Sequence, residues 1–363
     1  MSDVKFIDAS EWQILPWYST GGTRAKRVLL HSEDWSEWYF KCSEKKLGKD
    51  GKPDKYYKYE FWSEVIAYQV GTFLEIKTLR YDPGINNGEI GCISPLMINN
   101  ETEDLIEMGR FMTSLNPDFI PKDTKTRHEY TFQLLVDALD AYKLTEYLPV
   151  YLETLLFDAI IGNTDRHQEN WAFIGKRGFV AQALTEIEQD VKVVGFKRLP
   201  MFFRWLFKRI FNHEKTQLNT QAEQMKLYFT KIKGMAPMYD NGSSLGRELS
   251  DERVEELLAN EQALNRYVEN GKCEVHWDNK KLTHFQFIEN LLKSSYLQQV
   301  QQAGAFIRAW DDEQIKQIVN TIDEKVPADW HSYCIPENRK RLITKLLLLR
   351  SQKLKSLLGN GRI

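Results

Sequence analysis

Phe157 to Ile174 reads FDAIIGNTDRHQENWAFI, an apolar run, a polar loop and a second apolar run, and within the loop Asp165 precedes Asn170 by five positions. That pairing suits phosphoryl transfer. The reaction asks little covalent chemistry of a protein, but the acceptor hydroxyl must lie in line with the phosphate while its proton is accepted. A carboxylate at the tip of a rigid loop does both, which makes Asp165 the candidate base. The amide oxygen of Asn170 is a hard, neutral ligand for magnesium, and five residues let a tight loop fold back beside the aspartate. His167, between the two, can touch the transferring phosphate or orient Asp165. Standing alone, Asn163-Thr164-Asp165 also reads as a turn between two buried elements. The other parts of a phosphotransferase must therefore be found elsewhere in the chain.

They occur in order. Tyr18 to Lys26, YSTGGTRAK, holds a glycine pair, Gly21 and Gly22, ahead of a strand-like Arg27 to Leu30. Glycines let backbone amides approach phosphate oxygens without a Cβ in the way, and Lys26 or Arg24 would add charge. The same pair also makes an ordinary hairpin turn, and it matches neither the Walker A nor the Rossmann fingerprint. Trp35 to Cys42, WSEWYFKC, alternates like a half-buried strand and ends near Lys41, where a kinase small lobe places its α/β-phosphate lysine. Tyr59 to Leu74 carries Phe61, Val65, Tyr68 and Phe73 at helical spacing, with Glu60 and Glu64 one turn apart. Either carboxylate could fix Lys41, and Glu64 is preferred; a solvated helix face is the alternative. Gly234 to Gly246, GMAPMYDNGSSLG, puts Asp240 after a strand-like Met238-Tyr239 and before the Asn241-Gly242 turn. A kinase places a metal-binding carboxylate in that way, just ahead of a glycine turn. Glycine turn, strand lysine, helical glutamate, Asp-x4-Asn loop and Asp-x-Gly agree with one another along the chain, and agreement across levels outweighs any single motif.

A chain of 363 residues is long for one compact lobe, so two domains or one two-lobed domain is expected. Its 42% hydrophobic and 28% charged content is that of an ordinary soluble globular protein, and a formal net charge of -2 gives no case for nucleic acid as the main partner. Cys42, Cys92, Cys273 and Cys334 are scattered without a CxxC, which suits free thiols in a reducing compartment. The N-terminus lacks a signal-peptide design and no apolar run approaches a membrane span, so a cytoplasmic protein is expected, with an exported effector left open. Residues 76–98 read as two strands joined by Asn86-Asn87-Gly88, the second leading to a hinge at Met97 and Ile98, candidate adenine contacts. From Glu101 the pattern turns helical, with helices over Thr126–Tyr142 and Tyr147–Ile161 beneath the loop and a strand at Asn170–Ile174. The boundaries are therefore a small lobe at 1–98 and a helical large lobe at 99–363, with an insertion at 180–227. Within the insertion, a helix over Pro200–Phe211 would set Phe203, Leu206, Phe207 and Ile210 against Arg204, Lys208 and Arg209. Packing on the large lobe, docking a partner protein, and lying on a membrane or nucleic-acid surface through residues 197–215 are its competing readings. Further on come helices over 251–270, 283–303, 311–325 and 336–358, with a short strand at Cys273–Trp277. The spacing of Cys273, His276 and His284 fits no zinc pattern.

The segments IIGNTDRHQENWAFI and MAPMYDNGSSLG resemble the kinase region of the HipA family of bacterial serine/threonine kinases, which pairs an N-(A/T)-D-x-H-x-x-N loop with an A-P-x-Y-D segment. WYFKC and SEVIAYQVGTFLEI look like that family's strand lysine and helix, with Glu64 matching its acidic position better than Glu60. The resemblance spans about Gly21 to Gly246, leaving out the insertion. It implies an α+β, bilobal protein-kinase-like fold with ATP and Mg2+ as cofactors. Asp165 would be the base, Asn170 and Asp240 the metal ligands, and a protein serine or threonine the acceptor. It also implies autophosphorylation near the glycine turn, at Ser19, Thr20 or Thr23, and an antitoxin or regulatory protein as a partner. The chain looks like a short variant without the separate N-terminal subdomain of the long toxins. A lipid or small-molecule kinase of phosphatidylinositol-kinase-like type and a non-catalytic nucleotide-binding module are the alternative functions.

Overall fold

The computed structural model describes residues 4–16, 26–43, 45–46, 55–121, 123–177, 224, 226–228 and 230–359. The helix expected at Pro200–Phe211 lies outside them. Strand alternation builds the first layer. A six-stranded sheet is formed by β1 (Ile7–Asp8), β2 (Gln13–Ile14), β3 (Lys26–Leu30), β4 (Glu37–Cys42), β7 (Asp82–Asn86) and β8 (Glu89–Pro95), in the order β1-β7-β8-β4-β3-β2. All its neighbours are antiparallel except β1 and β7. The pleat sends Phe40 and Lys41 to opposite faces. Phe40 packs with Ala9, Leu29 and Ile93 in a small cluster on one side, while Lys41 faces α1 (Glu60–Phe73) on the other. β5 (Lys45–Lys46) and β6 (Lys55–Tyr56) make a separate hairpin between β4 and α1. The turn between β7 and β8 has Asn87 at φ 54° and Gly88 at φ 72°, the left-handed pair that a two-residue hairpin of matching twist demands.

A second, three-stranded antiparallel sheet contains β9 (Glu103–Glu107), β10 (Ala172–Lys176) and β11 (Ile232–Met235), with β10 in the middle. The chain then crosses between the two parts within three residues. Ala236 N–H donates to the Ala172 carbonyl at 2.9 Å, Pro237 follows, and Met238 N–H donates to the Lys77 carbonyl at 2.9 Å while Leu79 N–H donates back to Met238 at 2.8 Å.

The remainder is helical: α2 (Met108–Leu115), α3 (Phe132–Ala141), α4 (Leu148–Ile161), α5 (Asp251–Ala259), α6 (Glu261–Asn270), α7 (His284–Leu292), α8 (Leu297–Ala303), α9 (Asp312–Thr321) and α10 (Glu337–Gly359). α4 is apolar on almost every side, and a helix of that kind must be enclosed. It packs against α7, α8 and α10, with Leu152, Leu156, Ile160 and Ile161 buried. One continuous apolar core runs from α1 through α4 to α10.

Several elements differ from the sequence expectation, two of them through a polar side chain that starts a helix. The helix expected over Thr126–Tyr142 begins only at Phe132, because Thr131 Oγ1 accepts the Leu134 N–H at 3.1 Å and a 3-10 turn occupies Thr124–Glu129. The helix over 251–270 is two, divided at Asn260, whose Oδ1 accepts the Ala263 N–H at 3.0 Å. The helix over 283–303 is likewise two, α7 and α8. Cys273–Trp277 forms isolated bridges in place of a strand, and β10 begins at Ala172, after a 3-10 turn at Gln168–Asn170.

What positions the loop is the end of α4. Gly162 takes φ 68° and ψ 42°, and its N–H returns to the Asp158 carbonyl, a left-handed cap that glycine adopts without a Cβ penalty. Beneath it the buried Arg350 of α10 donates to the Ile161 carbonyl at 3.1 Å, a cation at the negative end of a helix. A Cβ on Gly162 would stand 2.3 Å from that guanidinium. Gly162→Ala is therefore expected to lower stability by about 1–3 kcal/mol from the backbone conformation alone, read as an earlier urea midpoint with an unchanged slope.

Candidate functional site

Three elements converge on Asp240. From β4, Lys41 Nζ donates to Asp240 Oδ1 at 2.5 Å and to Glu64 Oε1. From α1, the fully buried Glu64 uses its second oxygen, Oε2, to accept the Asn241 N–H at 2.6 Å. From the loop after α4, Arg166 donates to the Tyr239 carbonyl through Nη1 and to Asn241 Oδ1 at 2.5 Å through Nη2. Asp240 is thus bracketed on both sides of its own backbone. It sits at φ 58°, a left-handed conformation that a non-glycine residue keeps only when its surroundings hold it there.

The loop is held from below. Arg166 is buried and meets Asp158 of α4 through two bonds of 2.9 Å, Nε to Oδ2 and Nη2 to Oδ1, the bidentate geometry that suits a guanidinium in a low-dielectric interior. Burial raises the Asp158 carboxyl above its ordinary value, against the pull of Arg166 and the amide of Asn163. Asn163 Nδ2 donates to Asp158 Oδ1 at 3.2 Å, and its Oδ1 accepts the Asp165 N–H at 3.1 Å. Asn170 Nδ2 closes the loop on the Asp165 carbonyl at 2.9 Å. With the nitrogen so used, Oδ1 is the atom that Asn170 has to offer a cation. Asp165 itself is exposed, and Ser243 Oγ donates to its Oδ2 at 3.3 Å. His167 Nδ1 accepts the Glu169 N–H at 3.3 Å, capping the 3-10 turn. Tyr239 ties the two segments together once more: its hydroxyl donates to the Glu169 carbonyl at 2.6 Å, and burial pushes its phenol well up, keeping it a neutral donor.

The structure therefore brings Lys41, Glu64 and Asp240 into direct contact and fastens Asp165, His167 and Asn170 into one loop. Of the two glutamates on α1, Glu64 takes Lys41, while Glu60 is buried against Arg247 at 2.6 Å. Lys26 lies directly across the strand pair from Lys41, so both project from the same face. Met97 and Ile98 lie half-buried in the segment between the two sheets. Gly21, Gly22, Ser19, Thr20 and Thr23 fall outside the described residues. For a magnesium ion the fitting donors are Asn170 Oδ1 and the Asp240 carboxylate, both hard oxygens. Two protein oxygens suffice where substrate phosphates and water complete the shell.

Sequence reasoning missed four supports of this site: Asp158 with Arg166, Arg247, Arg350 and His284. The signal for the first was present, since Asp158 is a carboxylate inside a helix apolar on all sides, and such a group needs a cation. The fully buried ring of His284 hydrogen-bonds the Asn163 backbone. Its Nε2 is without a partner among the described residues. Burial, and then Arg350, lower its pKa to about 3.

Two outcomes follow. Asp158→Asn strips the buried Arg166 of its counter-charge and is expected to cost about 3–5 kcal/mol in chemical denaturation. For His284 the folded pKa lies below the unfolded value of roughly 6.5, so its contribution is complete above that pH and is lost as pH falls toward 3. Between pH 6.5 and 5 the parent should lose roughly 2 kcal/mol more than His284→Gln, measured as the difference between their urea midpoints at the two pH values.

No protein-family model matches this sequence, and no curated protein matches it. Solved structures do. The proinflammatory kinase CtkA of Helicobacter pylori superposes with a TM-score of 0.65 at 17% identity, over 98% of each chain. A chain of the Shewanella oneidensis MR-1 toxin–antitoxin complex of HipA, HipB and operator DNA gives a TM-score of 0.41 at 8% identity, over 96% of this chain and 67% of that one, a fit too loose to argue from. At its level of identity the CtkA match speaks for the fold. This chain has the bilobal kinase fold, a β-rich small part and a larger helical part.

Proposed function

We propose that the protein is an ATP- and magnesium-dependent phosphotransferase of HipA-like type, acting on serine or threonine of a protein. The observation that carries this reading is the junction at Asp240, where Lys41 meets the carboxylate, Glu64 and Arg166 hold the residues that flank it, and the same Arg166 anchors the Asp165 loop. Lys41, fixed by Glu64, would take the α/β-phosphates with Lys26 beside it. Gly21 and Gly22 would cover them, and Met97 and Ile98 would meet the adenine where lobes of about 1–98 and 99–363 join. Asn170 and Asp240 would hold Mg2+, which supplies neutralisation of phosphate charge. Asp165 accepts the proton of the acceptor hydroxyl as that oxygen bonds the γ-phosphorus and the bond to the bridging β–γ oxygen breaks, releasing ADP. His167, in the same loop, would touch the transferring phosphate. Autophosphorylation at Ser19, Thr20 or Thr23, and control by an antitoxin or other regulatory protein, belong to the same reading. Among the described residues no helix is long and apolar enough to cross a membrane.

Intact-mass spectrometry of the chain with ATP and magnesium, alone and with a cell lysate as acceptor, is expected to show phosphate gained by protein. Asp165→Ala should slow the transfer by about 10²- to 10⁴-fold, and Asp240→Ala or chelation of magnesium should abolish it. Nucleotide binding without any protein phosphate would sink the protein-kinase reading and leave lipids and small metabolites as acceptors.

A further inference from the structure

The two glutamates of α1 lead to opposite ends of the site. Glu64 reaches Lys41, whereas Glu60, one turn earlier, accepts from Arg247 Nη1 at 2.6 Å. Arg247 lies 4.4 Å over the ring of Tyr57, and its Nη2 donates to Ser243 Oγ at 3.0 Å. Ser243 Oγ in turn donates to Asp165 Oδ2 at 3.3 Å. We infer that Glu60, Arg247 and Ser243 form a positioning chain through which α1 sets the direction of the Asp165 carboxylate. The inference rests on the phosphotransferase reading above and gives that site three further residues.

A hydroxyl has one proton and two lone pairs and rotates to suit its partners. Filling a lone pair from Arg247 favours the rotamer that points the Ser243 proton at Asp165 Oδ2. The carboxylate is then held at one oxygen, and Oδ1, which carries no hydrogen bond among the described residues, is the atom turned to the acceptor. The buried Glu60 carboxylate keeps the guanidinium at its post, and the Tyr57 ring supports its face. Other charged groups near Asp165 are its loop neighbours His167 and Arg166, and Asp240 with Lys41 three residues before Ser243. None of these makes a hydrogen bond from its side chain to the Asp165 carboxylate among the described residues. Because Glu60 and Glu64 share one face of α1, displacing that helix would release Lys41 and Asp165 together.

The test uses the full chain under saturating ATP. Ser243→Ala should lower kcat on the order of tenfold, as expected when a general base keeps its chemistry but loses its orientation. KM for ATP should stay unchanged, and Ser243→Thr, which restores the hydroxyl, should recover most of the rate. Glu60→Gln should lower kcat in the same direction, again with KM for ATP unmoved. In an Asp165→Asn background Ser243→Ala should have no further effect, because the group it orients no longer accepts a proton. The inference is overturned if Ser243→Ala turns over like the parent, if its loss persists undiminished in Asp165→Asn, or if only KM for ATP moves. A parent that transfers no phosphate at all overturns the phosphotransferase reading, and this inference with it.

Discussion

A single guanidinium, that of Arg166, is the constraint on which the arrangement of the site depends. Its planar fork has donors enough to satisfy two directions at once. It faces down to Asp158 in the apolar helix α4 and up to the Tyr239 carbonyl and the Asn241 amide on either side of Asp240. Such a group is expensive to bury and becomes tolerable only when every donor finds an acceptor. The loop and the Asp240 segment are therefore fixed with respect to each other by the need to satisfy one cation. A lysine in its place would present a point charge and could not bracket Asp240 from both sides.

Around that centre the supports are arranged in layers. α4 supplies Asp158 and ends abruptly at Gly162; α10 fills the space below with Arg350; α7 brings His284 up to the Asn163 backbone. These are polar groups deep in an apolar core, each aimed at the backbone or side chains of the loop. The helical part thus makes the loop stiff, and the cost of the buried polar groups is met by α4, α7 and α10 packing through one continuous core. The N-terminal sheet contributes differently. It offers Lys41 at the end of a strand and leaves the choice of partner to α1.

The candidate site residues could be picked out in the sequence because they lie on short local patterns. Asp165 with Asn170, and Asp240 before Asn241-Gly242, are spacings within one loop or turn. The hairpin at Asn86-Asn87-Gly88 was legible for the same reason, since a left-handed residue pair announces itself in composition. What could not be read were partnerships across distance. Glu60 and Glu64 lie on one side of a helical wheel, and although the pattern favours Glu64 for Lys41, nothing local announces that Glu60 is taken by Arg247, 187 positions away. Helix breaks at Thr131 and Asn260 were missed because a side chain that caps one helix looks, in a periodic pattern, like a tolerated polar residue inside a longer one.

The crossing at Pro237 has a mechanical meaning. On one side Ala236 is bonded to the strand that follows Asn170; on the other Met238 is bonded to Lys77, just past the end of α1. The chain passes between these two anchors through a residue whose φ is locked by its own ring. Asp240, two residues beyond Met238, is in effect mounted on a short bracket clamped at one end to the three-stranded sheet and at the other to the segment that joins α1 to β7. Any swing of one part against the other has little soft dihedral to absorb it there, so a change in the angle between them is transmitted to the Asp240 carboxylate as a displacement of the whole bracket.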